Sequence, residues 1–407
     1  MSEWKKVKLR ELYEVHNGLS KGRQFFGSGY PFLTFSNVFN NWFLPEELES
    51  LVQSSEKERQ TCSIKKGDVF ITRTSETMDE LGMSSVALKD YPNATYNGFT
   101  KRLRPLTDEV IPEYIGYYLR SPKFRGKFMA FSTMTTRASL ANDDLLSMEV
   151  DIPEKAIQHR IATILSRYDS LIENYQKQIK LLEESAQRLY KEWFIDLRFP
   201  GHENTKIVDG VPEGWEKKKI KDLVDLKSGY AFKSSAFVEK GKYKIVTIKN
   251  VKDGVFDGDN VSYLNSVPEK MPSHCILQTG DILLSLTGNV GRICMVVGDN
   301  YLLNQRVAKL ESKFPAFTYC LFRHYDTFVA INNLANGAAQ QNVSPIRIGE
   351  MDMLVANDKI MHHFEKAAEN IRTNILNLFS QIRHLTEARD RLLPKLMSGE
   401  FNICIND

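Results

Sequence analysis

From Ile157 onward, apolar residues return at steps of three and four: Ile161, Ile164, Tyr168, Ile172, Tyr175, Ile179, Leu182, Ala186, Leu189 and Trp193. That spacing marks one face of an α-helix. The series restarts at Ile360 with Phe364, Ala367, Ile371, Ile375, Leu378, Ile382, Leu385, Arg389, Leu392 and Leu396, each 203 positions after its counterpart. Only Ala186, answered by Arg389, breaks the apolar pairing. A helix of this length spans about 55–60 Å at 1.5 Å per residue. That is too far for one small domain to cover, so the seam needs a partner helix. The economical solution packs the two helices on each other; if a pseudo-two-fold axis relates the two halves, they run antiparallel as a coiled coil.

Ahead of each helix lies a region of short apolar runs broken by Gly, Asn, Asp and Ser, the pattern of mixed β and α structure. These regions repeat as well. Trp4, Lys6, Lys8, Leu9, Leu12, Val15 and Gly18 recur 211 positions later as Trp215, Lys217, Lys219, Ile220, Leu223, Leu226 and Gly229. Gly67-Asp68-Val69-Phe70-Ile71 is answered by Gly280-Asp281-Ile282-Leu283-Leu284. Gly18 and Gly229 each end an apolar segment, where a turn often needs positive φ, and that is the role expected of them. The offset falls from 211 to 203, so insertions and deletions belong to the globular regions while the helices keep their length. The expected fold class is α+β. Mixed regions occupy 1–153 and 200–356, the second opening with a linker at Pro200-Gly201, and long helices occupy 154–199 and 357–407, the last with a C-terminal tail beyond Ser398-Gly399.

Composition narrows the class without naming it. The chain is 42% hydrophobic and 26% charged, as in globular proteins. No apolar run approaches the ~20 residues of a membrane helix, and MSEWKKVKLR lacks the apolar core of a secretory signal. The cysteines Cys62, Cys275, Cys294, Cys320 and Cys404 are isolated, which argues against a zinc site and fits a reducing cytoplasm. A net charge of +3 does not by itself mark a nucleic-acid binder.

Enzyme readings fail on the residues. A methyltransferase acting alone needs an Asn/Asp-Pro-Pro-aromatic motif, and the sequence has no Pro-Pro pair. Phe26-Gly27-Ser28-Gly29 imitates a cofactor loop but lacks the preceding apolar strand. Asp299 with Glu311-Ser312-Lys313 mimics a nuclease carboxylate site, but the first half offers Arg102-Leu103-Arg104-Pro105 there. His362 and His363 are adjacent, so a helix points them in different directions. No phosphate-binding loop for ATP is present.

At the helix ends the sequence resembles a known family. LYKEWFIDLRFPGHE (Leu189 to Glu203) and RDRLLPKLMSGEF (Arg389 to Phe401) look like the central and distal conserved regions of type I restriction-modification specificity (S) subunits. GDILLSLTGNVGRI (Gly280 to Ile293), LNQRVAKL (Leu303 to Leu310) and NGLSKGRQFFGSGYPFLTFSNV (Asn17 to Val38) resemble that family's target recognition domains. The resemblance covers nearly the whole chain. It implies two target recognition domains that read a split, asymmetric target in double-stranded DNA, with the helices fixing the unread spacer. It also implies two methyltransferase (M) subunits docked on a non-catalytic chain, with restriction/motor (R) subunits joining them. No cofactor is expected on this chain: S-adenosylmethionine belongs to the partner methyltransferase, and ATP and Mg to the motor subunit. A bivalent protein scaffold built from the same repeat is the competing reading.

Sequence reading uses Arg or Lys toward guanine and Asn or Gln toward adenine, on loops held by a rigid frame. The polar runs offer Lys21, Arg23, Gln24, Ser36, Asn37, Arg73, Thr74, Thr135, Thr136 and Arg137 in the first half. The second half offers Lys233, Ser234, Lys249, Asn250, Thr287, Asn289, Gln340, Gln341 and Asn342. Trp193, Phe194, Phe199, Leu392, Leu393 and Leu396, at the helix ends, are the expected partner-binding surface.

Overall fold

The computed structural model describes residues 4–75, 80–131, 138–335 and 341–400. It divides into two compact units, Met1–Leu171 with Leu385–Asp407, and Ile172–His384. Helices α1 (Phe35–Asn40), α2 (Pro112–Arg120), α3 (Lys155–Tyr190), α4 (Pro315–Arg323) and α5 (Asp358–Ser398) frame them.

In the first unit, strands β1 (Tyr13–Asn17), β2 (Phe26–Leu33), β3 (Leu51–Val52), β4 (Val69–Thr72), β5 (Ser84–Val86), β6 (Thr95–Tyr96) and β7 (Thr100–Pro105) form two sheets. One is antiparallel in the order β1-β7-β4-β5; in the other, β2 pairs antiparallel with β3 and parallel with β6. A separate ribbon pairs Lys5–Lys8 with Glu149–Ile152. Val69, Phe70 and Ile71 are all fully buried, so β4 has a continuous apolar run in place of alternation, as a strand covered on both faces requires. Thr34 caps α1 by accepting from the Asn37 amide, and Pro112 occupies the first turn of α2, where its missing N–H costs nothing. The core joins Leu12, Val69, Leu103 and Tyr114 to Ile161 and Leu165 of α3 and to Leu393, Leu396 and Met397 of α5.

The second unit repeats this plan. Its strands are β8 (Val224–Ser228), β9 (Tyr243–Val246), β10 (Ser262–Leu264), β11 (Ile276–Leu277), β12 (Ile282–Ser285), β13 (Ile293–Met295), β14 (Tyr301–Leu303) and β15 (Val307–Ser312). One sheet has the order β8-β15-β12-β13; in the other, β9 again has an antiparallel neighbour, β10, and a parallel one, β14, with β11 added at the edge. Glu216–Lys219 pairs with Asp352–Val355 as the equivalent ribbon. Helices α2 and α4 are both nine residues long with Pro in the first turn. The core joins Ile282, Leu310 and Phe317 to Ile179, Ala186 and Tyr190 of α3 and to Ile360, Phe364 and Ile375 of α5.

Thus in each unit residues of α3 and residues of α5 contribute to one core. Helix α3 continues into a π-turn, Lys191–Ile195, while α5 carries Pro394 at the position matching Lys191. Two different devices therefore perturb the α-helical ladder at the same repeat position. Arg389, the charged member of the α5 series, has partners of its own. Arg389 pairs with Asp169 at 2.6 Å and lies 5.0 Å from the centre of the Trp42 ring, and the Tyr117 hydroxyl donates to the same carboxylate. Its counterpart Ala186 is buried beside Cys320.

Candidate nucleic-acid interface

In the first unit β1 ends at Asn17, β4 ends at Thr72 and β7 begins at Thr100, so their connecting loops emerge at one end of the sheet. Backbone bonds knit that end together. The Leu19 amide donates to the Tyr96 carbonyl, Gly98 to Leu19, Arg73 to Phe99 and Leu140 to Arg73. The second unit reproduces all four, with Tyr230 donating to Leu303, Gln305 to Tyr230, Leu286 to Arg306 and Val343 to Leu286. Each end is therefore a rigid frame whose positions correspond: Asn17 to Ser228, Arg73 to Leu286, Asn97 to Asn304 and Phe99 to Arg306.

Gly18 and Gly229 belong to this frame, but not as positive-φ residues; both are absent from the glycines in that region of backbone. Glycine is required there for steric reasons. A Cβ on Gly18 would lie 2.2 Å from the Asn97 carbonyl oxygen, and one on Gly229 would lie 2.3 Å from that of Asn304. Parallel bridges Leu19 to Asn97 and Tyr230 to Asn304 bring the backbones that close.

On the shared frame sit different side chains. In the first unit, Arg73 is half-buried, with Nη1 3.3 Å from Asn17 Oδ1 and its Nε buried without a partner. Lys101 lies beneath the surface with its ammonium on Asn142, and burial, helped by the Arg73 charge, holds its pKa below the usual lysine value. Phe99 is 61% exposed on the adjoining turn. In the second unit Leu286 is buried and Arg306 is exposed. Thr287 bridges to Asn342, donating to its side chain at 3.0 Å, and Asn289 and Gln341 are exposed beside them. The first unit has the equivalent pairing of Thr74–Ser75 with Ala138–Ser139.

The sequence-predicted residues thus separate into groups. Arg73 and Thr74, like Thr287, Asn289, Gln341 and Asn342, converge on the sheet ends. Thr135, Thr136, Arg137 and Gln340 lie outside the described residues. Arg23, Gln24, Ser36, Lys233, Ser234 and Lys249 are exposed on neighbouring turns and short helices. Three candidates are occupied within the chain. Lys21 donates to the Gln53 carbonyl and pairs with Glu58 at 2.8 Å. Asn37 accepts from the Thr34 amide and hydroxyl at the start of α1. Asn250 is fully buried, accepting from Thr247 and donating to the Asp257 and Asn260 carbonyls, so no polar atom is left for a base. Phe99, Lys101 and Arg306 are frame residues that reasoning from polar runs passes over.

The expected partner surface needs the same correction. Phe194, Phe199, Leu393 and Leu396 are buried core residues, and Trp193 and Leu392 pack against the same cores. Trp193 and Phe194 both pack edge-on against Phe364. The described cysteines are buried free thiols, with Cys62 and Cys275 pushed up by burial, which suits packing and not catalysis. Among the described residues no cluster of metal-ligating side chains occurs, and no helix is long and apolar enough to cross a membrane.

The chain matches the type I restriction modification DNA specificity domain over residues 1–184 and again over 212–350. It is 25% identical over 421 residues to the MjaIX specificity subunit of Methanocaldococcus jannaschii, covering 98% of this chain and 94% of that one. It is 24% identical over 469 residues to the HindI specificity subunit of Haemophilus influenzae, covering 98% and 100%. The S subunit of a type I restriction-modification system from M. genitalium shares the fold, with a TM-score of 0.55 at 17% identity over 97% of this chain and 96% of that one.

Proposed function

The chain belongs to the type I restriction-modification DNA specificity family, and on that basis we propose that its two units are unlike readers of one split, asymmetric DNA target. As a specificity subunit it is the non-catalytic member of its enzyme. The observation that carries the reading is the pair of sheet ends, equivalent in backbone but different in side chain: Arg73 and Phe99 on one, Leu286 and Arg306 on the other. A common frame fixes how each unit meets a groove, and the side chains on it decide which bases are accepted.

The two long helices pair along their seam as an antiparallel coiled coil and set the unread spacer, with half-sites about one turn of duplex, roughly 34–36 Å, apart. Methyltransferase subunits dock on this chain and supply the chemistry, and motor subunits join them. With four of the six helix-end apolar residues committed to cores, docking falls to the exposed faces of the helices.

The competing reading, a protein scaffold that does not bind DNA, makes a different prediction in a gel shift. With the cognate methyltransferase present, the specificity reading expects binding to target duplex that outlasts a large excess of non-target competitor. Assembly of the complex without preference for any duplex would favour the scaffold.

A further inference from the structure

The two frames exchange an arginine. Arg73 and Leu286 are equivalent, since each donates its amide to the neighbouring turn and accepts from the segment that follows the next helices. Phe99 and Arg306 are equivalent too, because their carbonyls receive those amides. Each frame therefore carries one guanidinium and one apolar group on the same two positions, but in opposite order. Where the sheet end of the first unit takes its arginine from the end of β4, the second takes it from the turn entering β15.

Among the described residues neither arginine forms an ion pair with a carboxylate. Contrast Arg104, Arg323, Arg372 and Arg389, each paired with one. Arg73 is also held from behind: its Nη1 rests on Asn17 and its Nε is buried, which limits the directions its outer edge can take. A guanidinium fixed in this way suits a planar acceptor pair such as guanine O6 and N7, for which fork geometry matters more than charge alone. A phosphate, by contrast, is served by any surface lysine.

Resting on the reading that the units bind DNA, we infer that Arg73 and Arg306 are the guanine-reading residues of their respective units, supplied from opposite positions of one frame. Neighbouring strands lie about 4.8 Å apart, so the exchange moves the guanidinium across the groove without altering the frame. One scaffold thereby reads two different sequences.

The test is adenine-methylation sequencing of a methylation-free host expressing the full chain with its methyltransferase, for wild type, Arg73→Ala and Arg306→Ala. Wild type reports on the DNA-reading function itself: no two-part motif there would sink that reading before the variants are considered. Given a wild-type motif, Arg73→Ala is expected to relax one guanine-containing position in one half, and Arg306→Ala one position in the other half. Discrimination at each should drop about 5- to 150-fold. An unchanged motif, relaxation of the same half by both variants, or an even loss across all positions would each overturn the inference, the last by marking a phosphate contact. Should an alanine variant fail to assemble, Arg73→Gln or Arg306→Gln replaces it, with the same relaxation expected and the same results counting against it.

Discussion

A carbonyl oxygen stands 2.2–2.3 Å from where a Cβ would sit on Gly18 or Gly229, so a side chain at either position has to push two backbones apart. Gly18→Ala should therefore force β1 away from the Asn97 turn and cost about 1–3 kcal/mol, the range of overpacking. Urea unfolding followed by the fluorescence of Trp4 and Trp42, which lie in that unit, would report it; an unchanged midpoint would show that the strands can part freely. Sequence marks both positions as turn glycines, which names the right residues but not the cause, because close approach of a distant carbonyl has no local signal. Asp151 gives a pH-dependent case. Burial alone would raise its pKa, but the Tyr118 hydroxyl at 2.7 Å and Lys123 at 3.0 Å outweigh burial and hold it below the usual value. A carboxylate depressed by folding stabilises above its unfolded pKa, near 4, and that contribution is lost as pH falls toward the folded value. Asp151→Asn should thus lower stability at neutral pH and weaken the further loss on acidification; an acid slope equal to wild type would contradict the assignment.

At the scale of elements, the long helices are the most legible part of the sequence, because only a helix returns an apolar face at a period near 3.6 over 36 and 41 residues. The break at Arg389 is visible there, but its cause is not: Asp169 lies 220 residues away and Trp42 belongs to a globular region. Arg389→Ala should cost about 2–3 kcal/mol, below the range for a fully buried pair because Asp169 keeps 26% side-chain exposure. Replacing both with leucine should cost less than the single change, as an apolar pair leaves no charge unpartnered. Equal losses in a double-mutant comparison of unfolding midpoints would contradict this. The sheet ends are half legible. Polar runs locate Arg73 in the first unit and Thr287 and Asn342 in the second, and the strands place each at the sheet end of its own unit. They also offer Asn37 and Asn250, although Thr-x-x-Asn in both halves is a local capping signature. Arg306 is hidden because it precedes the apolar strand VAKL, and Phe99 because an aromatic beside a strand reads as core. Exposure, which sequence does not give, separates such residues from core.

For the whole molecule, duplication explains the division of labour. On the proposed reading, two frames with identical side chains would accept the same bases, and different side chains on equivalent backbones let one fold serve two sequences. The long helices keep one register in both halves while the globular regions tolerate insertions, as the falling offset between halves records. Affinity is a separate matter. On the proposed reading, a net charge of only +3 leaves this chain a small electrostatic contribution of its own, and its affinity for duplex should rise when the methyltransferase is present.

Whether one chain carries two unlike DNA readers is decided by mapping methylated adenines in a methylation-free host that expresses it with its methyltransferase. Two unlike readers should yield a motif of two short, different sequences separated by an unread gap. A palindromic motif, an ungapped one, or none despite an assembled complex would be incompatible with them.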